Sequence, residues 1–394
     1  MKYKKVVIQI FVSALGWKLY KRYGFLNDLL NHSNPLDTVL GFSSATDPSI
    51  LSGRYPIEHG HWFEYYYDKK NSPFKKLSRI YSLIPGFARF IFDSKKSREI
   101  ISDIFSVGGG YTGALKLHQM PMEHLKYFNY LSKKDYYIAG GLSKTDTIFD
   151  QVDFEKLKYY VSDSQKQEDE NVLKAINLLR MGEVSYVFLH LPDLHRLLHH
   201  YGTEHDAIKR KIVDLENKVN KIFKEAKPHY KDVSLSVCSN HGMSDVRYVS
   251  NLKKRIEKMP LSYGKDYVAL YHPTIAKFWF FHPQSRQIIV DHLLKSGNEG
   301  NILSDKELKD MRVFFPDRRF GEVIFLLKPH FLIVPNHFRK TMARGMHGYH
   351  PNYPESKAIL LSNKPIDEDI HSIVDIRTFN RRLLEIHHLQ NSLH

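Results

Sequence analysis

Short apolar runs rich in β-branched residues recur along this chain, and most of them are followed by a segment with helical spacing. The runs lie at residues 6–12, 37–40, 136–139, 186–191, 233–237 and 358–361. A stripe of apolar residues marks one face of residues 204–226: Ile208, Ile212, Leu215 and Val219. Strands that alternate with helices in this way predict an α/β fold, with a central, mostly parallel sheet sandwiched by helices.

Two longer segments break this alternation. Residues 62–125 are rich in aromatic residues and lysine and predict a helical insertion, whereas residues 260–340 predict an inserted lid subdomain of mixed α/β structure. Either segment is long enough to cover a cleft. We therefore expect a single α/β domain over residues 1–394 that carries two inserted cap segments.

The charge balance indicates what the chain binds. A formal net charge of +15 favours an anionic partner, such as a phosphate ester or a nucleotide-type small molecule, although a solvated basic surface is equally compatible with it. We find no specific nucleic-acid motif. Cys238 is the only cysteine, which excludes an intrachain disulfide, and no apolar run reaches the roughly 18 residues of a membrane span. We expect a cytoplasmic protein, and the oligomeric state stays open.

Polar side chains follow the ends of several apolar runs. They are Ser13 after the first run, Ser43 and Ser44 after the second, Asp193 and His195 after the fourth, and Asn240 and His241 after the fifth. Ligands of parallel sheets bind beyond the carboxyl ends of the strands. These side chains therefore predict a binding site at that edge of the sheet.

The stretch GFSSATDPSILSGRYPIEHG, residues 41–60, places a cluster of hydroxyls before a short helix that ends near Gly53. Backbone N–H groups and the positive end of the helix dipole suit a phosphate oxygen there, and a hydroxyl at that point is placed to attack phosphorus. Ser and Thr before a helix are also ordinary N-caps, which is the simpler interpretation of this stretch alone.

The stretch LPDLHRLLHHYG, residues 191–202, is typical of a metal site. His195 and His199 are four residues apart and share a face if this segment is helical, and Asp193 lies just before them. Neutral imidazoles and a carboxylate suit zinc. In a histidine-rich chain, surface histidines are the alternative.

Two further stretches pair a histidine with glycine in a turn: SNHG at residues 239–242 and GMHGYHPNYP at residues 345–354. Taken in order, these motifs resemble the alkaline phosphatase superfamily and, within it, the type I phosphodiesterase/nucleotide pyrophosphatase branch. The resemblance covers most of the chain. It implies an alkaline-phosphatase-like central sheet between helices, with inserted caps, and a phosphoric ester hydrolase.

The resemblance also implies a nucleophile. In that family a hydroxyl residue begins a helix about ten residues before the glycine of a TG or SG pair, and P-x-x-H-G follows. Ser52-Gly53 is the pair here, which assigns Ser43 as nucleophile. Ser44 is one residue off, and Thr46 is the second candidate because Thr46-Asp47-Pro48 imitates a Thr-x-Pro pattern of the family.

The family normally binds two zinc-like ions, and the match to its ligands is partial. His199, His241 and His347 match residue by residue. The departures fall on carboxylates, because Ser13, Asn240 and His195 stand where the family has Asp.

Two close divalent ions need negative ligands to offset their repulsion. We therefore expect the second metal site, with Ser13, Ser43, Asn240 and His241, to bind zinc poorly. His195, His199 and His347 are expected to bind a single zinc ion, with Asp193 joining or replacing His195. His241 is then a candidate general base.

Two functions are compatible with this sequence. The first is a hydrolase or transferase that acts on a phosphate ester through Ser43 or Thr46 and a reduced metal site. The alternative is a metal-depleted pseudoenzyme that acts as a binding or scaffold protein, which the lost carboxylates favour. The surviving hydroxyls and histidines favour the enzyme.

Overall fold

The computed structural model describes residues 3–92, 94–113, 115, 117 and 120–385. Its helices are α1 Trp17–Tyr23, α2 Ser43–Ser52, α3 Pro56–His59, α4 Lys75–Leu83, α5 Arg89–Phe92, α6 Lys95–Gly108, α7 Ile148–Phe154, α8 Glu168–Met181, α9 Asp193–Tyr201, α10 Asp206–Ala226, α11 Leu252–Glu257, α12 Pro283–Lys295, α13 Asp305–Asp310 and α14 Ile376–Leu384.

The strands are β1 Lys5–Val12, β2 His32–Leu36, β3 Tyr65–Tyr67, β4 Phe128–Tyr130, β5 Tyr159–Val161, β6 Tyr186–Leu191, β7 Asp232–Cys238, β8 Ser244–Asp245, β9 Tyr248–Ser250, β10 Tyr267–Tyr271, β11 Ile275–Phe280, β12 Gly300–Ile302, β13 Val323–Leu327, β14 Phe331–Ile333, β15 Gly345–Met346 and β16 Ala358–Ser362.

The central sheet has the strand order β2–β16–β7–β1–β6–β5 within the described part of the chain. Strands β7, β1, β6 and β5 are parallel, and β16 runs antiparallel to both of its neighbours. The sheet is therefore mostly parallel, which confirms the predicted fold class. Since Val12 pairs with Leu191 and Phe11 with Cys238, the carboxyl ends of β1, β6 and β7 lie side by side.

Helices cover both faces because the strand residues alternate between two cores. Val6, Ile8 and Ile10 pack with α8 and α10 on one face, whereas Val7 and Phe11 pack with α2, α7 and α14 on the other. The predicted apolar stripe of α10 is confirmed, since its four residues are at most 2% exposed. Both faces of the sheet are thus excluded from water, and a ligand reaches it only at the strand ends.

Four of the predicted strands are confirmed as β1, β6, β7 and β16. The strand predicted at 37–40 is wrong, because the strand is His32–Leu36 and only Asp37 adds an isolated bridge. Its sequence is polar and contains Pro35, which is tolerated because β2 lies at the edge of the sheet. The strand predicted at 136–139 is also wrong, because this segment forms turns.

The inserted segments have their own structure. Residues 62–125 include α4, α5 and α6, and residues 260–340 include an antiparallel sheet, among the described residues, in the order β10–β11–β13–β12. One aromatic core joins the two segments, with Phe74 and Tyr81 from the first and Val268 and Trp279 from the second. The exact division into one domain and two caps stays a prediction. None of the helices described is long and apolar enough to cross a membrane.

Candidate active site

The histidines predicted from the motifs converge at the carboxyl edge of the sheet. His195 and His199 lie one turn apart on α9, which follows β6 directly. His241 follows β7, and His347 follows β15 on the way to β16. Because β16 is antiparallel, its first residue lies at the same edge as the ends of β6 and β7. The topology therefore brings four distant histidines together.

The four imidazoles form a histidine cluster: His195, His199, His241 and His347. The Nε2 atom of His195 lies 3.0 Å from Nε2 of His347 and 2.9 Å from Nε2 of His199. The rings of His241 and His347 stack, with centroids 3.7 Å apart and an interplanar angle of 11°. One ring nitrogen from each of His195, His241 and His347 lies within 4.8 Å of the other two.

Backbone carbonyls fix the orientation of two of these rings. His199 Nδ1 lies 2.8 Å from the Gly345 oxygen, and His241 Nδ1 lies 2.8 Å from the Gly242 oxygen. With Nδ1–H donating in each ring, Nε2 carries the free lone pair that a metal ion accepts. Among the described residues, His241 Nε2 and His347 Nδ1 are buried without a hydrogen-bond partner.

Burial keeps the cluster uncharged. Desolvation lowers the pKa of both His199 and His241 to about 4. Desolvation also lowers the pKa of His195 and of His347 well below the ordinary range, and the neighbouring histidines add to the effect. At neutral pH the four imidazoles are therefore uncharged, and their ring nitrogens converge. Such a set of neutral nitrogen lone pairs fits a divalent cation such as zinc.

Asp193 does not join the cluster. Its carboxylate pairs with Arg196 and lies 3.7 Å from Lys211 Nζ, on the side of α9 that faces α10. The reason is geometric, since a residue at the first position of α9 is two residues out of step with the face that His195 and His199 share.

Ser13 and Asn240, which replace two family carboxylates, form hydrogen bonds within the protein. Ser13 Oγ lies 2.8 Å from His190 Nε2. The side chain of Asn240 accepts from the Ala14 amide at 3.2 Å and donates to Asp47 Oδ1 at 3.3 Å. Ser13 is therefore hydrogen-bonded by His190, and Asn240 by Ala14 and Asp47, without an added cation.

Asp47 is a buried carboxylate at this point that the sequence argument did not single out. Its Oδ2 accepts from the Tyr137 hydroxyl at 2.9 Å, and its Oδ1 accepts from Thr46 at 3.1 Å. The sequence Thr46-Asp47-Pro48 contains this carboxylate, but the family pattern predicts a role only for the Thr46 hydroxyl. Asp47 brings a carboxyl group next to Asn240, one of the positions where the family has Asp.

The candidate nucleophiles differ in their surroundings. Ser43 and Ser44 line a cavity of about 280 Å³ together with His195, His199 and His347. Ser44 Oγ donates to the Trp62 carbonyl at 3.1 Å, whereas Ser43 Oγ has no hydrogen-bond partner among the described residues.

Thr46 is fully buried and is not part of the cavity lining. Its hydroxyl is held by the Phe42 carbonyl and by Asp47, at the polar network around Asn240. Of the three hydroxyl candidates, only Ser43 both faces the cavity and is uncommitted.

Arg339 is a second residue that the sequence argument missed. It lines the same cavity, has no ion pair with any described residue, and its charge adds to the depression of the pKa of His195 and His199. Asn336 holds its loop, because Asn336 Oδ1 accepts from the amides of Phe338 and Arg339, each at 2.8 Å. No motif marks this arginine, since only the folded lid brings it to the histidines.

The sheet, the strand-end site and the order of its motifs agree with the resemblance to the alkaline phosphatase superfamily. Within it, the chain belongs to the type I phosphodiesterase/nucleotide pyrophosphatase family, whose sequence profile matches residues 7–350. The resemblance found from the motifs is thereby confirmed. The corresponding comparison with curated proteins gives no match.

Solved structures with a similar fold include the murine and human ectonucleotide pyrophosphatase/phosphodiesterase 5. An inactive form of the murine protein in complex with AMP has a TM-score of 0.67 at 13% identity, over 98% of this chain and 97% of that one. A second murine structure gives 0.67 at 14% identity over the same shares. The human protein gives 0.67 at 12% identity, over 98% of this chain and 96% of its own.

Proposed function

We propose that this protein is a phosphoric ester hydrolase or transferase that uses Ser43 as its nucleophile. The observation that carries the proposal is the shared cavity, in which an uncommitted hydroxyl at the start of a helix faces three neutral histidines and an unpaired arginine. Ser43 Oγ attacks phosphorus, and its proton goes to the bridging oxygen, which leaves with the alcohol or nucleoside part. Water or a second alcohol then takes the phosphoryl group from serine and returns a proton to Ser43 Oγ.

The chain's own groups suit the charge of that reaction. α2 spans ten residues, so the positive end of its dipole points to a phosphoryl group held at Ser43. Arg339 supplies a fixed positive charge and several N–H donors for non-bridging phosphoryl oxygens. Both groups stabilise the negative charge that is shared by the oxygens around phosphorus in the transition state.

The histidine cluster fits one zinc ion. His195, His199 and His347 would bind it, as expected from the sequence, and we add His241, because this ring stacks on His347 and points an unpartnered Nε2 into the cluster. The chemistry supplied by such an ion is Lewis-acid polarisation of a phosphoryl oxygen. With Nδ1–H donated to the Gly242 carbonyl, His241 has one free lone pair, on Nε2, and so serves either as a ligand of the ion or as the general base, but not as both at once.

A nucleotide-type ligand is the substrate class that the cavity favours. Phe42, His272 and Phe338 line it, and the His272 ring stacks on Phe42 at 5.5 Å and on Phe338 at 4.4 Å between centroids. An aromatic wall beside a phosphate-binding arginine suits a base joined to a phosphate. The AMP complex of the murine relative supports the same class.

The test is hydrolysis of p-nitrophenyl phosphodiester and phosphomonoester substrates with added zinc or manganese. We expect Ser43→Ala to abolish turnover with zinc still bound, and His347→Ala to lose both turnover and zinc. Ser44→Ala is the matched control, because its hydroxyl is held by the Trp62 carbonyl and its loss should leave turnover within about threefold. Full activity in the Ser43 and His347 variants would refute the mechanism.

One observation favours the pseudoenzyme as second candidate. Ser13 is hydrogen-bonded to His190, and Asn240 is hydrogen-bonded to the Ala14 amide and to Asp47, so these side chains do not require a second cation. A pseudoenzyme would bind a nucleotide without turnover, and metal analysis would find no zinc in the purified protein. One equivalent of zinc together with turnover that depends on Ser43 would exclude it.

A further inference from the structure

The helical insertion exposes an unusual amount of apolar surface. Nearly half of the exposed large apolar side chains in the described chain lie between residues 80 and 107: Ile80, Leu83, Phe87, Ile91, Phe92, Ile100, Ile104 and Val107. We call these residues the outer face of the insertion. Leu83, Phe87 and Val107 are 78%, 83% and 85% exposed, and such a concentration marks an interaction surface.

This exposure does not come from helices that lack a core. α4 packs Leu77 and Tyr81 against the aromatic core shared with β10 and β11, and α6 packs Ile101 and Phe105 there. The outer face is the solvent side of these two helices and of the connection between them, which carries Phe87, Ile91 and Phe92. It follows the helical repeat, with Ile80 and Leu83 on α4 and Ile100, Ile104 and Val107 on α6.

Basic residues accompany this outer face. Lys76 lies one turn before Ile80, and Lys96 lies one turn before Ile100, and both lysines are exposed. Residues 75–107 contain seven Lys and Arg against three Asp and Glu. Exposed apolar side chains with basic residues beside them are typical of helices that lie in the interface of an anionic membrane.

A protein partner fits this composition less well. Lysine is depleted at the centre of protein interfaces, whereas it is enriched on the polar face of membrane-surface helices. We propose that the outer face of the insertion docks on an anionic lipid surface. The apolar side chains enter the headgroup region, and the exposed Lys76 and Lys96 contact lipid phosphates.

The docking surface and the cavity share one scaffold. Phe338 packs against the core beneath α4 and α6, and its neighbour Arg339 lines the cavity. A bilayer on the outer face therefore lies against the cap that forms one wall of the site. The proposal needs no particular substrate and stands on the surface alone.

Vesicle sedimentation of the full chain tests it, with phosphatidylcholine vesicles and with vesicles that also contain phosphatidylserine. We expect binding to the anionic vesicles. Leu83→Ser, Phe87→Ser and Val107→Ser combined should weaken it at least about a hundredfold, since each side chain gives up most of its apolar burial. Lys76→Gln with Lys96→Gln should cost about fivefold per lysine on anionic vesicles only.

A matched control removes exposed apolar side chains elsewhere. Leu173→Ser with Leu294→Ser changes residues that are 56% and 65% exposed on α8 and α12, and vesicle binding should be unchanged. The unfolding temperature verifies that every variant is folded.

Absence of vesicle binding by the unmodified protein would overturn the proposal, as would unchanged binding by the triple serine variant. A concentration-dependent dimer that the triple variant loses, without binding of either protein to vesicles, would show instead that this face joins two copies of the chain. Because the readout is sedimentation, an inactive protein that still binds vesicles would count against the proposed hydrolase and not against this inference.

Discussion

Asn240→Asp restores a family carboxylate and tests whether Asp47 already supplies negative charge at this position. Asn240 Nδ2 lies 3.3 Å from Asp47 Oδ1, and both side chains are buried. The substitution replaces a hydrogen bond by two carboxyl groups at that spacing. Without a cation, one of the two must be protonated or the pair must repel.

The magnitude follows from this distance. Two unit charges 3.3 Å apart repel by about 5 kcal/mol at an effective dielectric constant of about 20. Uptake of one proton avoids the repulsion. For a carboxyl with an ordinary pKa near 4, this costs at most about 4 kcal/mol at pH 7, because each pH unit is worth about 1.4 kcal/mol. We therefore expect the metal-free variant to lose about 2–4 kcal/mol of unfolding free energy at pH 7.

The sign of the pH dependence is fixed. Repulsion between the two carboxylates raises the pKa of the pair in the folded state above its value in the unfolded chain. The unfolding free energy of the variant therefore falls as the pH rises from about 4 towards the raised pKa. Added zinc should restore stability by neutralising the pair. The recovery is about 2.7 kcal/mol when free zinc is a hundredfold above its dissociation constant.

Urea unfolding at pH 5 and pH 7, with a chelator and then with zinc, measures these effects. The matched control combines Asn240→Asp with Asp47→Asn, which keeps one carboxylate and should return the stability and its pH slope to near those of the unmodified protein. The reasoning is refuted if Asn240→Asp with chelator is as stable as the unmodified protein at pH 7, or if the double variant keeps the same pH slope.

Three further variants have defined outcomes. Lys277→Met should raise stability at pH 7, because desolvation holds the pKa of this fully buried amine well below 10.5 and its Nζ has no hydrogen-bond partner among the described residues. The advantage of the variant should shrink by about 1.4 kcal/mol per pH unit as the pH rises towards 10.5, and a destabilised variant in urea unfolding would contradict this expectation. Arg339→Gln should raise KM for a phosphomonoester at least about tenfold, whereas the exposed Arg210→Gln should leave KM unchanged. An Arg339→Gln variant with the KM of the unmodified protein would show that Arg339 does not bind the phosphate. Gly242→Ala should lower the unfolding free energy by about 2–3 kcal/mol, because the added Cβ would lie 2.1 Å from the Glu355 carbonyl oxygen. The control Gly297→Ala should leave the thermal unfolding nearly unchanged, because the nearest atom to its Cβ is 3.4 Å away.

The sequence predicts the parts of this molecule that depend on local pattern. The apolar runs at β1, β6 and β7 are visible because both faces of each strand are buried, and the polar residues that follow them mark the site. β2 escapes the pattern because Pro35 and polar neighbours are acceptable on an edge strand. The run at 136–139 misleads because Tyr137 is apolar in its ring, yet it is held by a hydrogen bond to Asp47.

The site is predictable where motif spacing decides it, as for His195 and His199 on one helix face. Spacing does not reveal that His241 stacks on His347, since the two are brought together by an antiparallel strand. It also does not reveal Arg339, which comes from a loop of the lid, or Asp47 on α2, whose importance depends on Asn240 approaching it from the loop after β7. These contacts are set by tertiary structure alone.

The insertion at residues 260–340 leaves the sheet after β7 and returns to it at β16, and both crossings occur at the edge that carries the histidine cluster. His241 stands on the departing chain and His347 on the returning one, with their rings in contact. An ion bound by both histidines would therefore cross-link the two chain segments that connect the lid to the sheet. By linkage, any closure of the lid that strengthens ion binding would in turn be favoured by the ion through the same free energy.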